Sequence, residues 1–461
     1  MWDSLFYGRL KRVHFIGIGG VGMSGIAEVL LSIGIEVQGS DLAAGDTTEH
    51  LKKLGATIHI GHHEDNVRGA DVVVVSSAIS QTNPEVVYAH EHAIPVIPRA
   101  EMLGELMAVG HGIAVSGSHG KTTTTSLVAA LLQQANLDPT TIIGGKVNHL
   151  GSNARLGLGH YIVAEADESD GSFLMLSPSI AVVTNIDPEH LDYWTGGLEE
   201  IKASFTAFAN RIPFFGLVVA CVDDPNVRDI LPELKRRVCT YGIDHVAHFM
   251  ARDIVPDGLK THFTLVRDGE VLGRVTLPLV GRHNVLNALA AVAVGFEVGI
   301  EPQTLLSGFS TFTGVQRRFT LVGEHNGISV IDDYGHHPTE IKAVLNAARV
   351  TYPDRRLVVL FQPHRYSRTS HLFDDFSTAF QDCDELILSD IYPAGEAPMQ
   401  GVTAKRLSDA ISAHRKVQFG GDLDAATSMC LSQLKGNDVV ITLGAGSITR
   451  SARTIVKALQ A

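Results

Sequence analysis

GIAVSGSHGKTTTTSLVAALLQQA, residues 112–135, passes from an apolar strand pattern through a glycine-rich turn into a helical pattern. Gly117, Ser118, His119, Gly120, Lys121, Thr122 and Thr123 stand where strand gives way to helix. At such a junction backbone N–H groups, the positive end of a helix and one lysine can cradle a polyphosphate while a threonine hydroxyl reaches Mg²⁺. Val115 and Ser116 occupy the place where a full-length phosphate loop carries its first glycine, so this loop is shortened. A plain Gly/Ser/Thr turn before a helix is the alternative, and the strand on one side and helix on the other argue for the cradle.

Upstream, VHFIGIGGVGMSGIAEVL, residues 13–30, repeats the same grammar. Gly17, Gly19 and Gly22 fit G-x-G-x-x-G, and Asp41 closes the next strand, EVQGSD. Alone, that pattern reads as a dinucleotide site for NAD or as a close strand–helix packing turn. Hydride transfer, however, has no use for a second phosphate cradle. Two loops fit two phosphorylated substrates better: ATP at Lys121 and a nucleotide diphosphate at Gly17 to Gly22.

Working outward, short apolar strands alternate with helical patterns along the whole chain, the signature of parallel sheets wound with helices. The pattern restarts twice, giving three α/β units with expected bounds 1–104, 105–314 and 315–461. The middle unit contains THFTLVRDGEVLGRVTLPL, residues 261–279, whose alternation around Asp268-Gly269 predicts an antiparallel hairpin beside the parallel sheet. The last unit carries the strands ISVIDDY, RLVVLFQP, ELILSDIY and DVVITLGAG. No repeat of fixed period and no low-complexity tract interrupts them.

At 461 residues the chain exceeds what a single core organises, and 45% hydrophobic with 19% charged residues is ordinary for a globular protein. A net charge of −13 argues against nucleic acid or an anionic membrane as the main partner, leaving room for a local basic pocket. Cys221, Cys239, Cys383 and Cys430 lack metal-site spacing and are expected to be inert thiols. His62-His63 reads as a polar loop pair rather than a ligand pair. The opening MWDSLFYGRLKR has no leader pattern and no apolar run approaches a membrane span, so a cytoplasmic protein without membrane insertion is expected.

Two acidic clusters follow successive strands. EADESDGSF places Glu165, Asp167, Glu168 and Asp170 at one strand end, and NIDPEHLDYW places Asp187, Glu189, His190 and Asp192 after its neighbour. Beside a phosphate loop, such carboxylates suit Mg²⁺; His190 is less natural for that ion, which prefers oxygen. In GRHNVLNALAAVAVG, Asn284 and Asn287 share a helical face, and either base-edge reading or capping explains them.

Together with RRF, DDYGHHPTEI and FQPHRYSRT, these stretches resemble the Mur ligase family in order and spacing from about residue 13 to 447. The resemblance implies a Rossmann-like UDP-binding domain, a central P-loop-type ATPase domain with a parallel sheet plus a small antiparallel sheet, and a carboxyl-terminal Rossmann-like domain. It implies an ATP- and Mg²⁺-dependent ligase of peptidoglycan precursor synthesis that joins L-alanine to the lactyl carboxylate of UDP-N-acetylmuramate through an acyl phosphate. On that basis Gly17, Gly19, Gly20, Gly22, Asp41 and Ser76 would hold the UDP sugar, and Gly117 to Thr123 with Asn284, Asn287, Arg318 and Asp333 would hold ATP. Lys121, Glu165, His190, Arg318 and Asp333 would be catalytic, with Thr122, Glu165 and His190 as metal ligands. Tyr334, His336, His364, Arg365 and Arg368 would receive the amino acid. The resemblance leaves monomer and homodimer open. The rival readings are a ligase for an intact tripeptide, an NAD-dependent dehydrogenase and a catalytically silent nucleotide-sugar binder.

Overall fold

A computed structural model of the chain describes residues 10–76, 78–143 and 154–460. Residues 1–9, on which most of the expectation about a leader rests, lie outside the described residues. Strands Thr57–Ile60, Glu36–Asp41, Arg12–Ile16, Val72–Val75 and Val96–Pro98 lie side by side in that order, all parallel. Strand order turns back beside Arg12–Ile16, which opens a crevice past the carboxyl ends of Arg12–Ile16 and Val72–Val75. Gly17 and Ser76 follow those two ends directly.

Among the described residues the second sheet has ten strands. Its parallel centre runs Thr140–Ile142, Tyr161–Glu165, His111–Ser116, Ile180–Val183, Leu217–Cys221 and Arg237–Gly242. Phe249–Asp257, Lys260–Arg267 and Glu270–Leu277 continue it at one edge, so the expected hairpin is bonded into the same sheet. Asp268 and Gly269 both take positive φ, 47° and 87°, as a two-residue hairpin turn requires.

The first two sheets share a core. Ile26, Val29 and Leu30 of helix Val21–Ser32 cluster with Met102, Leu106 and Met107 of helix Arg99–Val109 and with Ile142, Ala164 and Val183 of the second sheet. These side chains are almost fully buried, the valines, leucines, isoleucines and methionines contributing roughly 1.5–3 kcal/mol each, which ties the glycine loop of the first sheet to the scaffold of the second. Compactness divides the chain into two units, of which the smaller takes Gly314 onward together with Asp253–Thr264 and Arg274–Val285.

In that smaller unit, Thr320–His325 lies antiparallel at the edge of a sheet continuing Ile328–Asp333, Val439–Leu443, Leu357–Phe361, Glu385–Leu388 and Gln418–Phe419. Alternation divides each central strand between two faces: Leu357, Val359 and Phe361 enter one core, Val358 and Leu360 the other. Strands buried on both sides read as continuous apolar runs, which is why they were legible in the sequence. The four cysteines are free, and burial pushes each thiol up to about 12.

Candidate active site

The phosphate loop leaves strand His111–Ser116 and enters helix Lys121–Gln134. Gly117 has φ 135° and Gly120 φ 83°, conformations that side chains rarely adopt. Space forbids them too: a Cβ on Gly117 would meet Thr184 Oγ1 at 1.9 Å, and one on Gly120 would meet Asn287 Oδ1 at 2.7 Å. The loop is clamped from the next strand end. His119 N–H donates to Asn185 Oδ1 at 2.8 Å, Thr184 Oγ1 donates to the His119 carbonyl at 2.7 Å, and the His119 ring meets Asp187 at 2.7 Å. Asn287 braces the helix by accepting from Thr124 Oγ1 at 3.1 Å. Asn284 instead donates to the Val280 carbonyl at 2.8 Å.

Lys121 Nζ donates to the Gly117 carbonyl at 2.7 Å and to Glu168 Oε2 at 2.6 Å. Burial works against the lysine's charge, but Glu168 and Asp167 hold it above the ordinary lysine range. Burial likewise pushes the Glu168 carboxyl up, to about 7, against the pull of Lys121. Trp194 Nε1 donates to the Glu168 carbonyl at 3.1 Å and fixes that turn.

The other Glu168 oxygen, Oε1, is buried with no hydrogen-bond partner. Ligand atoms of Glu168, Glu189 and His190 lie within 4.8 Å of one another. His190 holds φ 54°, strained for a histidine. Two carboxylates, one with an orphaned oxygen, and an imidazole fit a divalent cation. Of the three ligands expected from the sequence, His190 belongs to this group; Thr122 is the second residue of the phosphate helix, and Glu165 ends strand Tyr161–Glu165 outside the group.

Around the first sheet, Gly17 and Ile18 N–H groups bond the Ser40 carbonyl, and Gly20 precedes helix Val21–Ser32. Asp41 accepts the Gly19 N–H at 2.8 Å, so it shapes the loop. Arg99, which sequence reasoning passed over, lies across Gly22: a Cβ there would come within 3.1 Å of its Nε. Its charge also reaches Asp167, whose carboxyl is held low despite burial by Lys121, the Ser169 N–H and Arg99. His62 and His63 sit beside buried Glu85, whose carboxyl falls to about 2 because bonds from His14, Ser40 and Asn66 outweigh burial.

In the smaller unit the expected amino-acid residues converge beyond the strand ends. The Tyr334 and His336 rings lie 5.2 Å apart, and His336 and His364 5.8 Å apart. Arg368 bonds the His364 ring and carbonyl at 3.2 Å, while Arg317 and Arg318 lie over Tyr334 at 4.8 and 5.0 Å. Tyr392, absent from the sequence reading, stacks on His364 at 5.4 Å. Arg365 has φ 70°, and its guanidinium makes no hydrogen bond among the described residues. Burial, then the charges of His336, Arg368 and Arg365, drive His364 down to about 3. Burial and Arg318 lower His283 to about 4. Asp333 accepts from Phe319 N–H at 2.6 Å and Gly335 N–H at 2.7 Å, and burial still raises it to about 6.

Three family models match in succession: "Mur ligase family, catalytic domain" at residues 12–111, "Mur ligase middle domain" at 115–295 and "Mur ligase, glutamate ligase domain" at 317–446. The UDP-N-acetylmuramate–L-alanine ligase of Geobacter sp. (strain M21) is 55% identical over 457 residues, 99% of each chain. That of Pelobacter propionicus is 54% identical, covering 98% of this chain and 99% of its own. Among solved structures, UDP-N-acetylmuramate-alanine ligase MurC from Thermotoga maritima superposes with a TM-score of 0.82 at 29% identity, covering 98% of this chain and 99% of that one. A murein peptide ligase from Psychrobacter arcticus shares the fold, with a TM-score of 0.69 at 24% identity over 97% and 98% of the two chains. Three consecutive models, full-length relatives and a phosphate loop backed by an acidic pocket agree, and the chain belongs to the Mur ligase family.

Proposed function

We propose that this chain is a cytoplasmic ligase that uses ATP to join L-alanine to the lactyl carboxylate of UDP-N-acetylmuramate, a step in peptidoglycan precursor synthesis. The observation that carries the reading is Lys121 at the head of the phosphate loop, 2.6 Å from Glu168 and beside Glu189 and His190. The names borne by full-length relatives at 54–55% identity support L-alanine over a tripeptide as the amine.

A carboxylate is too poor an electrophile for an amine, so its oxygen first attacks the γ-phosphorus of ATP, and the bond to the β,γ-bridging oxygen breaks to release ADP. The amine then attacks the acyl carbon of the acyl phosphate; the C–O bond breaks and phosphate leaves. Lys121 exchanges Glu168 for a phosphate oxygen as ATP enters, while loop N–H groups hold the remaining oxygens. Glu168, once released from Lys121, would hold Mg²⁺ with Glu189 and His190, and the ion would supply charge neutralisation to the phosphates. Catalysis on this scheme is positioning and electrostatics. His336 Nδ1 lies 3.0 Å from the Tyr334 carbonyl and 3.3 Å from Glu340, which orients its ring among the expected amino-acid residues, where an imidazole would take the proton of the attacking amine.

Phosphate release from ATP, measured with UDP-N-acetylmuramate and each of L-alanine, glycine, L-serine and the tripeptide, tests the reading. Release should require the UDP sugar and L-alanine together. Preference for the tripeptide would replace L-alanine as the substrate.

A further inference from the structure

Phe214 and Phe215 follow helix Gly197–Asn210 and precede strand Leu217–Cys221, and they are 86% and 57% exposed. No other phenylalanine among the described residues is exposed. Their rings meet edge to face at 5.3 Å, forming one apolar knob. Cations ring it. Arg211 leads into the turn, Arg236 Nε donates to the Ile212 carbonyl at 2.8 Å, Arg237 reaches the Phe215 carbonyl at 3.4 Å, and Lys235 is exposed beside them. The acids beside them are Glu233 on the same stretch and Glu297 at the end of helix Arg282–Glu297, which Arg237 takes up at 2.9 Å. Four cations against two acids is a local reversal in a chain of net charge −13.

A cavity of about 390 Å³ opens next to the knob, with Leu217 and Arg237 in its wall. Arg267 also lines it, held flat on Phe296 with its guanidinium 3.7 Å from the ring centre. Asp268 lies 3.5 Å from it, and the cavity's other acid, Glu297, is taken up by Arg237. His248, a further lining residue, accepts the Thr240 N–H at Nδ1, which leaves Nε2 as a donor. The cavity thus offers an arginine and a histidine to an anion at the foot of an exposed aromatic pair.

We infer that this face docks on an anionic phospholipid surface, with Phe214 and Phe215 entering the interface, the cations meeting headgroups, and Arg267 with His248 receiving a headgroup phosphate. Aromatic side chains beside basic residues are the combination that binds such interfaces reversibly, since neither signal suffices alone. The geometry leaves the nucleotide loop free. Leu217 and Ile113 both pair with Ile180, so the knob lies at the amino ends of the strands, with Gly117 a further four residues, about 13 Å, toward the other end.

The test is co-sedimentation of the full chain with vesicles of phosphatidylcholine alone and of phosphatidylcholine mixed equally with phosphatidylglycerol, at low and high salt. Binding should require phosphatidylglycerol and be released by salt. The doubly substituted Phe214→Ser, Phe215→Ser chain should bind at least about tenfold more weakly, as should Arg211→Gln with Lys235→Gln. Arg267→Gln should reduce the preference for phosphatidylglycerol. Ligase turnover without vesicles should be unchanged in all of these, which confirms that they fold. Absence of vesicle binding, equal binding to neutral vesicles, or serine variants that bind like the parent would overturn the proposal. So would sedimentation velocity showing that the knob holds two copies of the chain together.

Discussion

Replacing Glu168 with glutamine separates two accounts of the acidic pocket. The sequence pointed to Glu165 as the ion's ligand, whereas the structure gathers Glu168 with Glu189 and His190 and leaves Glu168 Oε1 without a partner. Glu168→Gln keeps the shape of the turn and removes one charge. Its stability cost follows from Lys121, which keeps the Gly117 carbonyl at 2.7 Å and is 16% exposed at its side chain. Stripping one partner from a fully buried pair costs about 3–5 kcal/mol; with a hydrogen bond and some solvent left to the lysine, about 2 kcal/mol is expected. Loss of an ionised ligand should raise the Mg²⁺ concentration for half-maximal phosphate release by at least the roughly 10–100-fold typical of losing an outer-shell partner, and turnover at saturating Mg²⁺ should fall by roughly 10²–10³.

Glu165→Gln, at the end of its strand and outside the cluster, should shift the Mg²⁺ requirement less than Glu168→Gln does. Urea unfolding gives the stability term, a Mg²⁺ titration of phosphate release gives the kinetic term, and Mn²⁺ binding followed by electron paramagnetic resonance in the presence of ADP reports the site without turnover. If Glu165→Gln moves the metal dependence and Glu168→Gln leaves it in place, Glu168 is only the counterion of Lys121 and the assigned ligand group is wrong.

Lys121→Ala should lower phosphate release by about 10³-fold or more while calorimetry still detects UDP-N-acetylmuramate binding; a wild-type rate would exclude the loop as the ATP site. Gly117→Ala forces a Cβ against Thr184 at φ 135° and should cost more than about 2 kcal/mol in urea unfolding, so an unchanged midpoint would contradict the loop geometry. His283 has a folded value near 4, below that of a free histidine, so the unfolded chain binds the extra proton between roughly pH 6.5 and 4. Its contribution to stability is therefore present above that window and lost as pH falls through it; His283→Asn should flatten that part of the profile, and an identical profile would refute the assignment. Arg365→Ala should raise the KM for L-alanine more than that for ATP, because its guanidinium, which makes no hydrogen bond among the described residues, can clamp a carboxylate; selective loss of ATP affinity would move Arg365 to the nucleotide.

What the sequence made legible was whatever is periodic or locally punctuated. Both glycine loops lie where strand patterns meet helical ones, and the Asp268-Gly269 turn was readable because only a few residue types tolerate two positive φ values in succession. Arg99 escaped because nothing within RAEMLGELMAV marks it; folding alone lays it over Gly22, 77 positions away along the chain. Tyr392 escaped likewise, brought to His364 by an isolated bridge outside any strand.

The choice between Glu165 and Glu168 shows where local pattern stops being informative. Glu165 ends the apolar strand and Glu168 lies three positions beyond it, where the direction of its side chain depends on the turn that ends at Gly171, φ 68°, and on Trp194 bonding the Glu168 carbonyl from 26 positions away. The pairing this produces has a chemical consequence. A buried lysine and a buried carboxylate would each be costly alone; held together at 2.6 Å they neutralise one another, and on the proposed function ATP would supply the lysine with a different anion. On that proposal nucleotide binding and completion of the cation site would be one event. The affinity for Mn²⁺ should accordingly rise when ADP is present in the parent chain and lose that dependence in Lys121→Ala, where Glu168 has no cation to surrender.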